Sequence, residues 1–349
     1  MKYTEGQISI NVPGRDKLAR KNLVFLNEEK KFDRDIHIIL LKALKQTNKS
    51  YLDLFGASGI RGLRIAKETK YAGKIVFNDL KKTAYNNIKK NAAANKVKAF
   101  FFNNDARELL CSLDFGVDAI DIDPYGSPIY YIIDAVKALS RGGLLSITAT
   151  DTGALSGTFP KTCRRRYHST SYKSEFYYES GLRILAKECI NLCSTFDVAL
   201  IPIFAHATRH YFRIYFKKVK GAGEADKLIK NIDYISYCPK CLEREIGIKE
   251  LCNCGNKRIL IGPLFTGNLY DINLVRKMSK SDLCPDFFKK ILEEAEVNIP
   301  WFYTTDMIAK KYKIREPRMK ELNFARTHIN PKGFKTKKSI KEFLRLIKK

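Results

Sequence analysis

The run D-I-D-P-Y-G-S-P at 121–128 places two acids, a proline and an aromatic within five residues, and that combination can handle an amine on a nucleobase. An exocyclic amine is a poor nucleophile because its lone pair is delocalised into the ring. A site that alkylates it must therefore orient the N–H and accept its proton. Asp123 can accept that hydrogen bond, the fixed φ of Pro124 holds a rigid carbonyl beside it, and Tyr125 can stack on the base. A carboxylate with a pKa of about 4 cannot deprotonate a neutral amine, but it suffices once alkylation has made the nitrogen cationic. A strand-end turn in which Asp caps and Pro stops is the ordinary reading of a lone D-P; Asp121 is the next candidate if Asp123 is not the acceptor.

A second constellation is D-L-F-G-A-S-G-I-R-G from Asp53 to Gly62. It is not a dinucleotide fingerprint, because Ser58 stands where close pyrophosphate approach needs glycine. Gly56, Ala57 and Gly59 still let a ligand lie against the backbone where a strand opens into a helix. Asp79 follows about 20 residues later, the separation at which an acid reaches a ribose in a βαβ unit. Asp105 ends the next apolar run in the same way. Either acid alone is an ordinary helix N-cap; two in register after a small-residue turn point to a nucleoside.

A third is C-P-K-C at 238–241 followed by C-N-C-G at 252–255. Cys238, Cys241, Cys252 and Cys254 supply four thiolates from two knuckles, which suits a closed, structural Zn²⁺ site with no open position for catalysis. The other five cysteines, Cys111, Cys163, Cys189, Cys193 and Cys284, read as buried thiols.

These residues need a scaffold, and the chain's rhythm predicts one. From Ser50 onward, YLDLF, KIVFND, KAFFFNND, VDAIDIDP and GLLSITATD alternate with helical stretches at 60–70, 82–95, 106–113 and 127–140, the pattern of a parallel sheet wrapped by helices. DVALIPIFAHA and RHYFRIYFKKV, after a helix at 175–193, read as an antiparallel hairpin. The fold class expected is α/β, resembling the Rossmann-like methyltransferase fold, with five parallel strands plus the hairpin. GAGEADK at 221–227 reads as a linker. Beyond Gly262, PDFFKKILEEAEV, TTDMIAKKYKI and EPRMKELNFAR predict three short helices of a smaller, basic, α-rich domain, with Thr304 or Thr305 capping the middle one.

A formal net charge of +27 exceeds ordinary surface decoration and favours a polyanionic partner. Basic residues concentrate at 161–167, 310–320 and from Lys332 to the end, where they suit phosphate contacts. No stretch approaches the ~20 apolar residues of a membrane span, and the start lacks a secretory signal, so a cytoplasmic protein with no membrane role and no obligate protein partner is expected.

The stretches EGQISINVP, VFLNEEKKFDRD, YLDLFGASGIRGLRIAKE, NDA, DIDPYGSP, TATDTGAL, YYESGLRILAK and THINPKGFKT resemble the tRNA guanine-26 N2-dimethyltransferase family of archaea and eukaryotes along most of the chain. The resemblance implies S-adenosylmethionine as methyl donor and tRNA as substrate. Arg34, Arg61, Asp79, Asp105 and Ala106 would contact the cofactor, beside the turn residues Asp53, Gly56 and Gly59. Asp123 would be catalytic, and Phe25 and Tyr125 would flank the target base. The family's usual F-Y-N-P is Phe25-Leu26-Asn27-Glu28 here, so Phe25 is either a base-stacking residue or a buried anchor. The division implied is 1–220 as the methyltransferase domain, 221–261 as linker and zinc-binding insert, and 262–349 as a tRNA-binding domain. Two rival readings are an amino-methyltransferase of rRNA or adenine, since D-P-Y-G resembles [DN]-P-P-Y, and a non-catalytic RNA-binding protein.

Overall fold

A computed structural model describes residues 1–13 and 24–347. They divide into two compact units: the described residues of 1–124, 130–147 and 215–219 form the first, and those of 125–129, 148–214 and 220–347 the second.

In the first unit a hairpin of β1 (Lys2–Glu5) and β2 (Ile8–Asn11) precedes α1 (Lys31–Leu44). Then follow β3 (Lys49–Asp53), α2 (Ile60–Glu68), β4 (Ala72–Asn78), α3 (Lys82–Ala94), β5 (Phe100–Phe102), α4 (Ala106–Ser112), β6 (Val117–Ile122), α5 (Ile132–Ala138) and β7 (Leu139–Ala149). β3 pairs in parallel with β4 and β6, β4 with β5, and β6 with β7, giving the order β5-β4-β3-β6-β7. The order reverses between β3 and β6, and in open α/β sheets ligands bind beyond the carboxyl ends of the strands at such a switch point. β3 delivers Asp53 to that place and β6 delivers Asp121 and Asp123. The middles of both strands are apolar, with Tyr51, Leu52, Ala119, Ile120 and Ile122 all buried, as a sheet covered on both faces requires.

The turn after β3 is shaped by contacts inside the protein. Gly56 N–H donates to the Asn78 carbonyl (2.8 Å), Gly59 caps α2 at φ +79°, and a Cβ on Gly62 would lie 2.4 Å from the Phe77 ring. The β1-β2 edge is closed by an amide ladder at i, i+4 spacing on α3. Asn91 Oδ1 accepts from Asn11 N–H at 2.8 Å, and Asn95 both accepts from and donates to the Ser9 backbone. Side-chain amides thus satisfy an edge that would otherwise invite another strand.

The remaining elements are α6 (Thr152–Leu155), α7 (Pro160–Tyr167), α8 (Tyr177–Ser194), β8 (Val198–Thr208), β9 (Tyr211–Lys220), α9 (Ala222–Ile229), β10 (Ile232–Tyr237), β11 (Arg244–Ile246), β12 (Ile259–Phe265), α10 (Ile272–Met278), α11 (Pro285–Val297), β13 (Tyr303–Thr304), α12 (Thr305–Tyr312), β14 (Ala325–Arg326), β15 (Gly333–Lys335) and α13 (Ile340–Ile347). The expected hairpin is β8 and β9, joined by two residues, and the full strand order of the main sheet is β5-β4-β3-β6-β7-β9-β8.

Several sequence expectations need correction. GAGEADK is no linker: it opens α9, whose Ala225 is buried, so the glycines lead into a helix rather than a flexible tether. The expected break at 261/262 falls inside β12, which pairs with β10 on both sides of it. EPRMKELNFAR makes only a 3₁₀ turn at 319–321 and then β14, because its end pairs with β15 beside β13 in a small sheet. The helix expected at 127–140 shrinks to α5, since Pro128 delays its start and the chain is extended from Leu139. Cys111 is exposed and Cys284 half-buried, while Cys163, Cys189 and Cys193 are buried as expected. Among the described residues, no helix is long and apolar enough to cross a membrane.

Candidate active site and candidate metal centre

Arg61, in the first turn of α2, organises the carboxyl ends of β3 and β6. Its Nε donates to Asp121 (2.7 Å), while one terminal nitrogen reaches both Asp33 (2.6 Å) and Asp123 (2.8 Å). The other lies 3.4 Å from His37 Nδ1. Asp33, Asp121 and Arg61 are buried. Asp123 is half-buried, and its second oxygen accepts from Lys30 Nζ at 2.5 Å. Asp53, also buried, accepts from the Gly62 N–H at 3.2 Å. The expected acid pair at the strand end is therefore present, with Asp121 tied inward and Asp123 turned toward the more open side.

Burial, then the nearby Asp121 charge, raises the Asp53 carboxyl from its ordinary 3.8 to about 7, with Arg61 partly offsetting both. A carboxyl whose folded pKa is raised binds its proton more tightly in the folded state. The folded state is then favoured below about pH 4 and loses that advantage as pH rises toward about 7. Three units correspond to about 4 kcal/mol at about 1.4 kcal/mol per unit. Asp53→Asn has no proton to lose. Its stability relative to wild type, read by urea denaturation, is expected to be a few kcal/mol more favourable at pH 8 than at pH 4. An equal difference at the two pH values would contradict the burial argument.

The acids expected to reach a nucleoside stand at neighbouring strand ends. Asp79, after β4, accepts from the Ala57 N–H (2.9 Å) in the glycine turn and from the Lys81 N–H (2.8 Å); burial raises its carboxyl pKa. Asp105 caps α4 through the Arg107 and Glu108 N–H groups, and Ala106 is the buried first residue of that helix. Asn78 knits these ends together, donating to the carbonyls of Leu54 and Asn104 and accepting from the Asn104 N–H.

Arg34 is buried in a different network. It grips both oxygens of Glu5 (2.7 and 2.6 Å) and donates to the Asn27 carbonyl (3.0 Å). Arg64 joins Glu5, Asp35 and Glu68 beside it. Burial pushes the Glu5 pKa up, but the two guanidinium groups outweigh it and hold the carboxyl down at about 2. Phe25 is half-buried between the buried Val24 and Leu26. Pro124 is buried and Tyr125 is 47% exposed, enough of the ring to present a face.

The sequence reading missed Lys30, Asp33, His37 and Glu5. Asp33, Arg34, Asp35 and His37, in the first turns of α1, are all buried. The available signal was the density of opposite charges in 28–35 beside Arg61 and Arg64.

In the second unit the four cysteine sulfurs of the two knuckles all lie within 4.8 Å of one another, with Cys238 and Cys254 3.5 Å apart and Cys241 and Cys252 3.4 Å apart. That clustering is the donor arrangement of a closed tetrahedral site. Asn256 donates to Cys254 and lowers its thiol to about 6, and the Tyr312 hydroxyl of α12 donates to the Cys241 carbonyl at 2.7 Å.

The basic stretches differ in what they expose. Lys161, Arg164 and Arg165 of α7 are exposed, but Tyr167 is buried and bonded to Asp151 and Ser127. Lys310, Lys311, Lys313, Arg315, Arg318 and Lys320 are exposed. Lys335, in the third stretch, is instead buried in ion pairs with Glu179 and Glu294. Lys348 and Lys349 lie outside the described residues.

A family model described as N2,N2-dimethylguanosine tRNA methyltransferase matches residues 6–348. The tRNA (guanine(26)-N(2)/guanine(27)-N(2))-dimethyltransferase of Aquifex aeolicus is 36% identical, covering 98% of this chain and 94% of that one. The tRNA (guanine(26)-N(2))-dimethyltransferase of Methanocaldococcus jannaschii is 34% identical, covering 98% and 97%. Among solved structures, Trm1 from Pyrococcus horikoshii in complex with S-adenosyl-L-methionine superposes with a TM-score of 0.88 at 28% identity, covering 99% of both chains. By the extent of these matches, the chain belongs to the N2,N2-dimethylguanosine tRNA methyltransferase family.

Proposed function

We propose that the protein transfers one or two methyl groups from S-adenosylmethionine to the exocyclic N2 of guanine 26 in tRNA, with Asp123 accepting the amine proton. The observation that carries this reading is the placement of Asp123 at the end of β6, beside the sheet's switch point and gripped from within by the buried Arg61. S-adenosylmethionine, when bound, supplies an electrophilic methyl carbon on a sulfonium. The residues fit such a group: acids outnumber cations around Arg61, which suits a positive sulfur, and the turn at Gly56 to Gly59 admits a ligand against its backbone. Asp53, Gly56, Gly59, Asp79, Asp105 and Ala106 would line its binding place, with Arg34 and Arg61 as the nearby cations.

The N2 lone pair forms the new N–C bond as the C–S bond breaks, and the proton on the resulting cationic nitrogen passes to Asp123. Asp123 thus orients the amine before transfer and takes its proton afterwards, so a weak base is sufficient. Phe25 and Tyr125 are assigned to the faces of the guanine. That base lies within folded tRNA and must be extruded to reach the site. The exposed lysines and arginines at 161–165 and 310–320 would hold the phosphate backbone. Digesting modified tRNA to nucleosides tests the reading. N2-methylated guanosine that disappears from a transcript with guanine 26 replaced is expected, and N6-methyladenosine as product would overturn it.

The four-cysteine cluster is proposed to hold one structural Zn²⁺, whose binding energy contributes directly to folding. Atomic absorption is expected to find one zinc per chain. Cys241→Ser is expected to remove that zinc and lower the melting temperature by several degrees. A zinc-free protein whose melting is indifferent to chelator would contradict the assignment.

A further inference from the structure

Asp151 opens α6 as its N-cap residue, where an aspartate ordinarily accepts from the N–H groups of the first helical turn. Its carboxylate makes no such bond. It turns instead to the Tyr167 hydroxyl of α7, 2.7 Å from Oδ1 and 2.9 Å from Oδ2, with Arg166 at 3.2 Å. The same hydroxyl lies 2.8 Å from Ser127 Oγ, and both Ser127 and Tyr167 are buried. A phenol has one proton to give, and a carboxylate only accepts. The chain therefore runs one way, Ser127 donating to Tyr167 and Tyr167 to Asp151, and bonds aligned in this sense strengthen one another. Burial, then the Asp151 charge, holds the Tyr167 pKa well above its ordinary value of 10, so the phenol keeps its proton. Tyr167 is itself held in place, because the buried Lys187 of α8 donates to its carbonyl at 2.6 Å.

Between Tyr125 and Ser127, Gly126 takes φ +90° and is clasped at both backbone groups by Thr150. Its N–H donates to Thr150 Oγ1 at 2.7 Å, and its carbonyl accepts from the Thr150 N–H at 2.9 Å. Tyr125 is thus an exposed ring on a backbone fixed at the next two residues. Fixing that footing limits the directions the ring can take. Resting on the assignment of Tyr125 to a face of the guanine, we infer that Tyr167 is a positioning residue: its hydroxyl, anchored by Asp151, holds Ser127 and so sets how the Tyr125 ring meets the target base. A ring free to swing must be ordered when the base arrives, and the apparent affinity falls by the fraction of protein already in the competent state. The Ser127–Tyr167–Asp151 chain supplies that order beforehand, so its loss falls on the use of tRNA rather than on S-adenosylmethionine.

The test uses the full-length enzyme with an unmodified tRNA transcript. Tyr125→Ala is expected to lower kcat/KM for tRNA about 10- to 100-fold, the usual worth of a base–aromatic stack. Tyr167→Phe is expected to lower it about fivefold, with the KM for S-adenosylmethionine within about twofold of wild type. Ser127→Ala removes the same link while sparing the Tyr167–Asp151 bond and is expected to match that loss. The two together should cost no more than either alone. In a Tyr125→Ala background neither substitution is expected to change kcat/KM by more than about twofold, although each lowers the melting temperature as much as it does in wild type. That contrast separates positioning from stability. A fivefold loss that persists without the Tyr125 ring would overturn the proposal, as would a Ser127→Ala enzyme indistinguishable from wild type. Should Tyr167→Phe fail to fold, Ser127→Ala carries both arms alone. Wild-type transfer by Tyr125→Ala would instead sink the stacking role of that ring, whatever Tyr167 does.

Discussion

Asp123→Asn is expected to lower methyl transfer to tRNA by about 10²–10⁴-fold, the usual contribution of a positioned proton acceptor, with little change in S-adenosylmethionine affinity or melting temperature. The amide keeps the size of the carboxylate, and its carbonyl can still accept from Arg61, so the local geometry has no reason to collapse. It can still accept a hydrogen bond from the amine as well. What it cannot do is take the proton from the cationic nitrogen, and the loss should therefore fall on kcat rather than on cofactor binding. Single-turnover kinetics with labelled donor, beside calorimetric titration of the cofactor, separates the two. Transfer within a few-fold of wild type would shift the role to another group, with Asp121 the nearest carboxyl on the same strand.

Arg61→Met is expected to cost about 3–5 kcal/mol of stability and to abolish activity. Arg61 lies within 2.8 Å of oxygens on Asp33, Asp121 and Asp123, and the first two are buried. Methionine fills much the same volume but leaves those carboxylates without their shared cation, and the cost of an uncompensated buried charge exceeds the worth of an exposed pair severalfold. Arg107→Met is the contrast. Arg107 pairs with Asp134 at 2.9 Å but its side chain is 62% exposed, so its loss is expected to change stability far less than the loss of Arg61. Guanidinium denaturation of the two variants side by side measures the difference. Equal, small losses would mean that the carboxylates around Arg61 find other partners.

The parallel sheet was legible because burial on both faces leaves strands as short, largely apolar runs closed by an acid or amide, as in YLDLF and VDAIDIDP. The turn at Gly56 to Gly62 was legible too, although its glycines answer to Ile88, Phe77 and a left-handed φ as much as to any ligand. GAGEADK misled because glycine and charge read as a linker, while the burial of Ala225 that makes it a helix depends on distant chain. EPRMKELNFAR misled in the same way: its helical spacing is real, but its end is claimed by pairing with β15.

At the site, the acids on the strand ends followed from strand phase alone. The cations that pair with them did not, since Lys30 and Arg61 lie 31 residues apart in sequence, and only folding brings both to one carboxylate. Cysteine spacing, in contrast, is local enough to predict the cluster outright.

The most direct measurement is a crystal structure with S-adenosylhomocysteine and a guanine-26 tRNA. The account predicts an Asp123 oxygen about 3 Å from the guanine N2, with that nitrogen facing the sulfur. A guanine amine bonded elsewhere, with the sulfur on the opposite side of the sheet edge from Asp123, would contradict it.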